Sequence, residues 1–416
     1  MLTTLRSVLR FRKLQLDGDL RRLATVGDVG DLRRLAKKRL PAGVFDYIDG
    51  GAEDERTLRE NAEAYRRIGF RPRVLRDVSE IDTSTTLLGR PTPLPLVLAP
   101  TGFTRIAHPE GELAVARACA RVGIPYTLST LGTRSIEELA AASDAVEWAG
   151  EGERRLWFQV YTWKDRGLVR EMIERAAAAN YEALVLTVDT AMLGRRERDV
   201  RRGMELPPKL GIDTLWDGAR RPGWTLRFLR NEPIVFANVA TSSGASASIP
   251  DGTKALDLAT HVNTQFDPAL SWKEIGWLRS IWDGKLVVKG IQTVADTVLA
   301  RDHGVDAACL SNHGGRQLDG APTPIDLVAP CRAAVDDTIE IIADGGVRRG
   351  SDLVKAKARG ADAVMAGRVY LYALAAAGEP GVDWMLDFLG EGMRRTMALC
   401  GVATAARLSE EKILGV

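Results

Sequence analysis

The stretch Ser311-Asn312-His313-Gly314-Gly315-Arg316-Gln317-Leu318-Asp319 sets a proton carrier and an anion binder three positions apart. His313 can exchange a proton near neutral pH. Arg316 can grip a carboxylate through two parallel hydrogen bonds. Gly314 and Gly315 let the backbone approach a flat ligand. Ahead of them, Asp306-Ala307-Ala308-Cys309-Leu310 is a short apolar run that reads as a buried strand. His313 and Arg316 therefore stand just past the C-terminal end of a strand, where an α/β barrel carries its chemistry. The plain alternative is a solvated polar loop, and the rest of the chain weighs against it.

From residue 94 onward, apolar runs of strand length alternate with amphipathic helical stretches. Strands are expected at 94–99, 125–129, 157–161, 183–188, 285–289, 306–311, 339–343 and 363–366, each followed by a helix. The pattern predicts α/β class, a (β/α)8 TIM barrel with an N-terminal helical arm and a long insertion after strand 4. The expected division is an arm and barrel-bottom segment over 1–93, the barrel over 94–377 and a C-terminal helical segment over 378–416. The insertion occupies 197–270.

Read at their C-terminal ends, the strands supply Pro100, Thr101 and Gly102; Ser129; Gln159 and Tyr161; Thr187, Asp189 and Arg196; and Lys289. Ser311, His313 and Arg316 follow, then Asp344, Gly345, Gly346 and Arg348, and last Gly367 and Arg368. The glycine pair after strand 7 and Gly-Arg after strand 8 match the usual phosphate site of a barrel. Lys289, if buried, needs a negative partner. A reduced flavin would supply one, and Ser129, Gln159 and Thr187 could bond the polar edge of its ring. Asp189 can hold His313 in one tautomer. Arg196 and Arg316 together call for an anionic substrate group, most simply a carboxylate. Tyr47, beside the Gly50-Gly51 helix break, is either a hydroxyl presented to a site or a packed aromatic. His108 reads as a helix cap and His303 as a helix C-terminus residue; neither they nor His261 is assigned chemistry.

The 416 residues are 45% hydrophobic, and 57 basic against 55 acidic residues leave a formal charge of +2. That balance gives no global attraction to nucleic acid. Cys119, Cys309, Cys331 and Cys400 form no zinc-binding pattern and read as buried thiols of a reducing compartment. No signal-peptide pattern or membrane-spanning run is present, so the expected location is cytoplasmic, or peripheral on the inner face of the cell membrane. The basic arm over 1–40 is read as a surface helix with a solvated basic face, or as a segment drawn to anionic lipid. Within the insertion, 216–230 interleaves arginines with Trp216, Trp224 and Phe228. That pattern suits a membrane interface or a lid on the barrel mouth. The Thr241–Ser248 run is of low complexity and is expected to be mobile.

The chain resembles the family of FMN-dependent α-hydroxy-acid dehydrogenases and oxidases from about residue 25 to the C-terminus. The resemblance rests on Ser-Asn-His-Gly-Gly-Arg-Gln-Leu-Asp (311–319), Asp-Gly-Gly-Val-Arg-Arg-Gly (344–350) and Thr-Val-Asp-Thr (187–190). Phe-Gln-Val-Tyr (158–161) and Tyr-Ile-Asp-Gly-Gly-Ala-Glu-Asp-Glu (47–55) extend it. The insertion is most similar to that of the bacterial L-lactate dehydrogenase branch. The resemblance implies His313 as the base, taking either the carbon-bound or the hydroxyl proton, and Asp189 as its support. It implies Arg316 and Arg196 on the substrate carboxylate, and Tyr47 and Tyr161 bonded to the substrate. Lys289 would stabilise reduced FMN. Pro100, Thr101, Gly102, Ser129, Gln159, Thr187, Ser311, Asp344, Gly345, Gly346, Arg348, Gly367 and Arg368 would hold the cofactor. Leu131, Ala191 and Gly102 depart from the glycolate-oxidase pattern, which leaves the preferred chain length of the acid open.

The resulting expectation is an L-2-hydroxy-acid dehydrogenase, with L-lactate the first candidate substrate and a quinone or cytochrome as acceptor. The alternatives are an oxidase making hydrogen peroxide, a relative tailored to mandelate-like acids, and an FMN-binding protein without turnover. A homotetramer is implied by the resemblance alone.

Overall fold

The computed structural model describes residues 15–203, 211–241, 264–409 and 413–414. The arm supplies helices α1 (Gly18–Leu23), α2 (Val29–Arg39), α3 (Ala42–Asp49) and α4 (Arg56–Arg67). Eight parallel strands then close a barrel in chain order. They are β1 (Leu96–Leu98), β2 (Tyr126–Ser129), β3 (Leu156–Val160), β4 (Ala183–Thr187), β5 (Lys285–Ile291), β6 (Ala307–Ser311), β7 (Glu340–Asp344) and β8 (Ala363–Ala366). Helices α5 (Glu112–Val122), α6 (Ile136–Asp144) and α7 (Arg166–Ala178) follow β1, β2 and β3. The insertion adds α8 (Glu197–Arg202), α9 (Ile212–Ala219), α10 (Pro222–Arg230) and α11 (Ala237–Ala240). Helix α12 (Lys273–Arg279) leads into β5, and α13 (Val294–Asp302), α14 (Pro324–Val335), α15 (Gly350–Ala358) and α16 (Arg368–Cys400) complete the ring. The architecture is the expected (β/α)8 barrel.

The strands are buried on both faces, so their sequences run apolar without alternation. Val97, Trp157, Val185, Val287, Ile342 and Met365 belong to one buried cluster within the strand ring. Leu87 and Leu88, from the short hairpin over 85–92, join it. The Leu88 amide donates to the Glu340 carboxylate (2.8 Å) and Arg155 Nη2 to the Leu87 carbonyl (2.6 Å). Helix starts follow local chemistry: Ser135 and Glu138 form a reciprocal capping box at α6. At the other rim, register sets Ser129 beside Gln159, Thr187 beside Lys289, and Ser311 beside Asp344.

The arm is tied to the barrel rather than lying on it. Asn61 of α4 and Asn312 exchange two side-chain amide bonds, each 2.8 Å. The Thr57 amide donates to Asp319 (2.7 Å). The solvated basic face expected of the arm holds for Lys37 and Lys38, which are exposed, but not throughout. Arg33 grips Asp49 through two nitrogens, and Arg22 and Arg39 turn inward to the carbonyls of Ala376 and Ala375. Those carbonyls lie where α16 breaks at Ala377 and Gly378. Helices α9 and α10 dock on the arm and on the loop after β1. Arg221 Nε donates to the Leu40 carbonyl (3.3 Å), and Trp224 Nε1 to that of Ile106 (2.8 Å).

His108 does not cap a helix, contrary to expectation. Gly111 holds the N-cap position of α5, and the His108 ring is packed against Gly378. His303 does sit at the C-cap of α13. The four cysteines are buried and unbridged. Among the described residues, no helix is long and apolar enough to cross a membrane, and no cluster of potential ligands suits a metal ion. Pro207-Pro208, residues 242–248 of the low-complexity run and His261 lie outside the described residues.

Candidate active site

The C-terminal rim of the barrel opens into a cavity with an empty volume of about 1300 Å³, counting its mouth. Its wall draws on the ends of all eight strands and on Tyr47 of the arm. The site residues expected from sequence that line it are Tyr47, Pro100, Thr101, Gly102, Ser129, Gln159, Tyr161 and Thr187. Arg196, Lys289, His313, Arg316, Asp344, Gly345, Gly346, Arg348, Gly367 and Arg368 line it as well. Asp189 and Ser311 stand just behind the lining, each bonded to a residue on it.

Three strand ends build one polar relay. Lys289 Nζ lies 2.8 Å from Asp344 Oδ2 and 3.0 Å from Ser311 Oγ. Ser311 Oγ donates to Asp344 (2.8 Å) and accepts from the His313 amide (3.0 Å). Burial opposes the charge on Lys289, but Asp344 and then Asp189 outweigh it and hold its pKa above the usual lysine value. The negative partner that Lys289 requires is thus Asp344, within the chain itself.

His313 adopts φ 57°, a left-handed conformation, at the head of a Gly-Gly turn. Its Nδ1 lies 2.9 Å from Asp189 Oδ1. Burial works against ionisation of Asp189, but the His313 charge and hydrogen bond, with Lys289, keep its carboxyl below the ordinary range. A carboxylate on Nδ1 fixes the ring and leaves Nε2 as the nitrogen that can exchange a proton.

Arg316 sits with its guanidinium 5.0 Å from the centre of the Tyr47 ring, and Arg196 lies 5.6 Å from the same ring. Arg196 is paired with Asp199 (2.7 Å). Among the described residues Arg316 bonds only carbonyls, those of Tyr47 (2.5 Å) and Gly50 (3.4 Å). Burial, then the like charge of Arg196, push Arg316 down to about 9. Tyr161 is pushed up by burial and by Asp189, so its phenol remains a hydrogen-bond donor.

The opposite wall carries the features that suit a flavin mononucleotide. The Gln159 carbonyl oxygen accepts from Ser129 Oγ (3.1 Å) and the Thr130 amide (3.2 Å), leaving Nε2 buried without a protein partner. Thr187 Oγ1 is likewise buried and unpartnered among the described residues. Buried polar groups seldom stay unbonded, so these atoms fit the edge of a polar ring. Gly345, Gly346 and Gly367 line the same cavity together with Arg348 and Arg368. Arg368 donates to the carbonyls of Ile48 (3.1 Å), Gly50 (2.7 Å) and Gly314 (2.8 Å), which ties three segments together. Arg348 bonds the Val347 carbonyl (2.7 Å). Neither arginine has a carboxylate partner among the described residues, so both retain charge for an anion.

Several contributors escaped the sequence reading. Gln317 clamps the β6 loop to the β4 loop, donating to the Asp189 carbonyl (2.9 Å) and accepting from the Gly194 amide (2.8 Å). Phe266, at the end of the insertion, lines the cavity edge-on to Tyr161 at 5.1 Å. Asp199 neutralises Arg196. Gln317 lay inside a motif already singled out and could have been found there; position 266 carries no local signal.

A closed barrel with a His–Asp pair, a buried arginine without a carboxylate partner among the described residues and a polar wall with unbonded groups fits one class: the β/α-barrel flavoenzymes that oxidise hydroxy acids. The model of the FMN-dependent dehydrogenase family matches residues 36–414, and the chain belongs to that family. It is an FMN-dependent 2-hydroxy-acid oxidoreductase. A Caulobacter vibrioides protein named L-lactate dehydrogenase is 40% identical over 386 residues, 92% of this chain and 97% of that protein. A Nostoc protein named L-lactate oxidase is 42% identical over 371 residues, 89% of this chain and 93% of its own. A solved structure of the monotopic membrane protein (S)-mandelate dehydrogenase matches with a TM-score of 0.86 at 37% identity, covering 94% of this chain and 100% of the other.

Proposed function

We propose that the protein oxidises L-lactate, or a close L-2-hydroxy acid, to the 2-keto acid and delivers the electrons to a quinone or cytochrome at the inner face of the cell membrane. The observation that carries this reading is the convergence of His313–Asp189 and the carboxylate-free Arg316 on one cavity. Arg316 and Arg196 bind the substrate carboxylate. Tyr47 and Tyr161 bond the substrate and orient it. His313 takes a proton at Nε2, and Asp189 holds the ring and stabilises its charged form. Bound FMN supplies the two-electron acceptor. Ser129, Gln159, Thr187, Ser311 and Lys289 hold the flavin edge, with Pro100, Thr101 and Gly102 beside it. Gly345, Gly346, Arg348, Gly367 and Arg368 would hold the phosphate end, with Asp344, bonded to Lys289 and Ser311, between it and the flavin edge.

Membrane contact is supported by the α9–α10 hairpin. Leu215, Trp216, Leu226, Phe228 and Leu229 are all exposed on it, among arginines. Large exposed apolar residues rimmed by charge mark an interaction surface.

The test is an anaerobic titration with L-lactate, D-lactate, glycolate and L-mandelate, following the yellow flavin absorbance. Bleaching by L-lactate, with slow recovery in air and fast recovery with a quinone analogue, is the expected result. Fast recovery in air with peroxide would make the protein an oxidase, as the Nostoc relative is named. Bleaching by L-mandelate alone would overturn the lactate assignment.

A further inference from the structure

A second, smaller cavity lies beneath α10, with an empty volume of about 330 Å³. Its wall carries Arg39, Arg105, Arg227 and His108, with Trp224 and Phe228 stacked 4.8 Å apart. No carboxylate is among its lining residues. Arg105 is occupied by the carbonyls of Pro109, Glu232 and Pro233. Arg39 and Arg227 are not saturated in this way. Arg39 spends Nε on the Ala375 carbonyl (2.8 Å), and Arg227 spends Nε on that of Gly223 (2.9 Å). Neither has a carboxylate partner among the described residues. Next to Arg39, outside the cavity wall, Arg22 Nε bonds the adjoining Ala376 carbonyl (3.0 Å), and its charge is met by Asp19. His108 Nδ1 is buried and has no partner among the described residues.

Arg39 and Arg227 face one cavity with no carboxylate on its wall, and partial burial penalises the charge on Arg39. The strain is visible in the groups themselves. Burial, then Arg22 and Arg227, push Arg39 down to about 10. Burial, then Arg227, Arg39 and Arg22, push His108 down to about 4, so its ring is neutral and can donate from one nitrogen. An anion would relieve every one of these costs together, and guanidinium pairs bind phosphate oxygens in a fixed fork.

We propose that this cavity is a binding site for a phosphate group, held by Arg39 and Arg227 with His108 as a further donor. The source that fits its position is the headgroup of an anionic phospholipid. The helix that roofs the cavity is also the one that exposes Leu226, Phe228 and Leu229. Only that choice of source rests on the membrane-facing reading above; the anion site itself does not.

The experiment uses the FMN-loaded enzyme, whose barrel phosphate site is then filled. Thermal midpoints are compared in inorganic phosphate and in chloride of equal ionic strength. Sedimentation with vesicles of phosphatidylglycerol and of phosphatidylcholine is measured alongside. The variants are Arg227→Gln, Arg39→Gln, the exposed-charge control Lys38→Gln, and Leu226→Ser with Leu229→Ser. Wild type is expected to gain thermal stability in phosphate and to prefer phosphatidylglycerol. Arg227→Gln and Arg39→Gln should abolish the phosphate-specific gain and weaken phosphatidylglycerol binding by roughly tenfold or more, while turnover with a soluble acceptor is unchanged. Lys38→Gln should keep the gain and lose less than about threefold, as a screened surface charge does. The double serine variant should release the vesicles and keep the phosphate gain, which separates the site from the membrane reading. A phosphate gain without headgroup preference would leave the site standing with free phosphate as its ligand. No phosphate-specific gain, or equal losses in Arg227→Gln and Lys38→Gln, would overturn the proposal. Should Arg39→Gln fail to fold, Arg227→Gln on the surface hairpin still decides.

Discussion

Lys289 and Arg316 are cations on the wall of one cavity, and they are treated in opposite ways. Lys289, on the side suited to the flavin, is bonded to Asp344 and Ser311, and its charge is reinforced. Arg316, on the side suited to the substrate, has two carbonyls and a second arginine nearby, and its charge is penalised. At Lys289, where the flavin ring would lie, the charge is neutralised within the chain, while Arg348 and Arg368 at the phosphate end are left for an anion. Arg316, where a transient acid would arrive, is left without a carboxylate among the described residues although Arg196 beside it is paired with Asp199, so that the arriving carboxylate completes it.

The harshest disturbance removes the group between the two halves. His313→Gln is expected to slow flavin reduction by about 10²–10⁴-fold with FMN still bound; stopped-flow reduction by L-lactate measures it, and a wild-type rate would reject His313 as the base. Asp344→Asn strips Lys289 of its counter-ion and should cost about 3–5 kcal/mol of stability in a denaturant titration. Arg316→Met sharpens the contrast, since it removes an uncompensated cation. It should cost less stability than Asp344→Asn while lowering kcat/KM about 10–100-fold; equal stability losses would erase the distinction between the halves.

The same asymmetry should appear in the pH profile. Arg316 must be charged to bind a carboxylate, and its pKa in the free protein is lowered to about 9. kcat/KM, which reports the free enzyme, is therefore expected to fall as pH rises through about 9. A bound carboxylate favours the charged form, so kcat at saturation should hold to higher pH. The mildest change is Phe266→Ala, which opens the cavity beside Tyr161. It should shift selectivity from L-lactate toward L-mandelate by about tenfold or less, read from the ratio of kcat/KM values.

The barrel was legible in the sequence because strands buried on both faces must read as short apolar runs. Their C-terminal ends were legible because that rim is where such a barrel carries chemistry. What escaped was set by register and long-range packing. The partner of Lys289 is a carboxylate two strands away, brought in by the β5–β6–β7 alignment, and the sequence reading looked to a flavin instead. Arg22 and Arg39, on two different helices, looked like members of a solvated basic face because nothing local shows that α16 breaks beside them and offers bare carbonyls. His108 read as a helix cap from its place before Pro109-Glu110-Gly111, yet Gly111 took the cap position and left the ring to pack against Gly378.

The reciprocal amide bonds of Asn61 and Asn312 span 251 residues, and the Thr57–Asp319 bond spans 262. Contacts so distant along the chain form late and slow the search for the native state. A ribosome emits the arm first, but α4 has nothing to grip until β6 and its loop have emerged. During synthesis the arm must therefore wait beside a growing barrel, its apolar residues Leu32, Ala36 and Tyr65 uncovered. A chaperone that shelters the nascent N-terminus should accordingly raise the yield of this protein more than one acting on the finished chain.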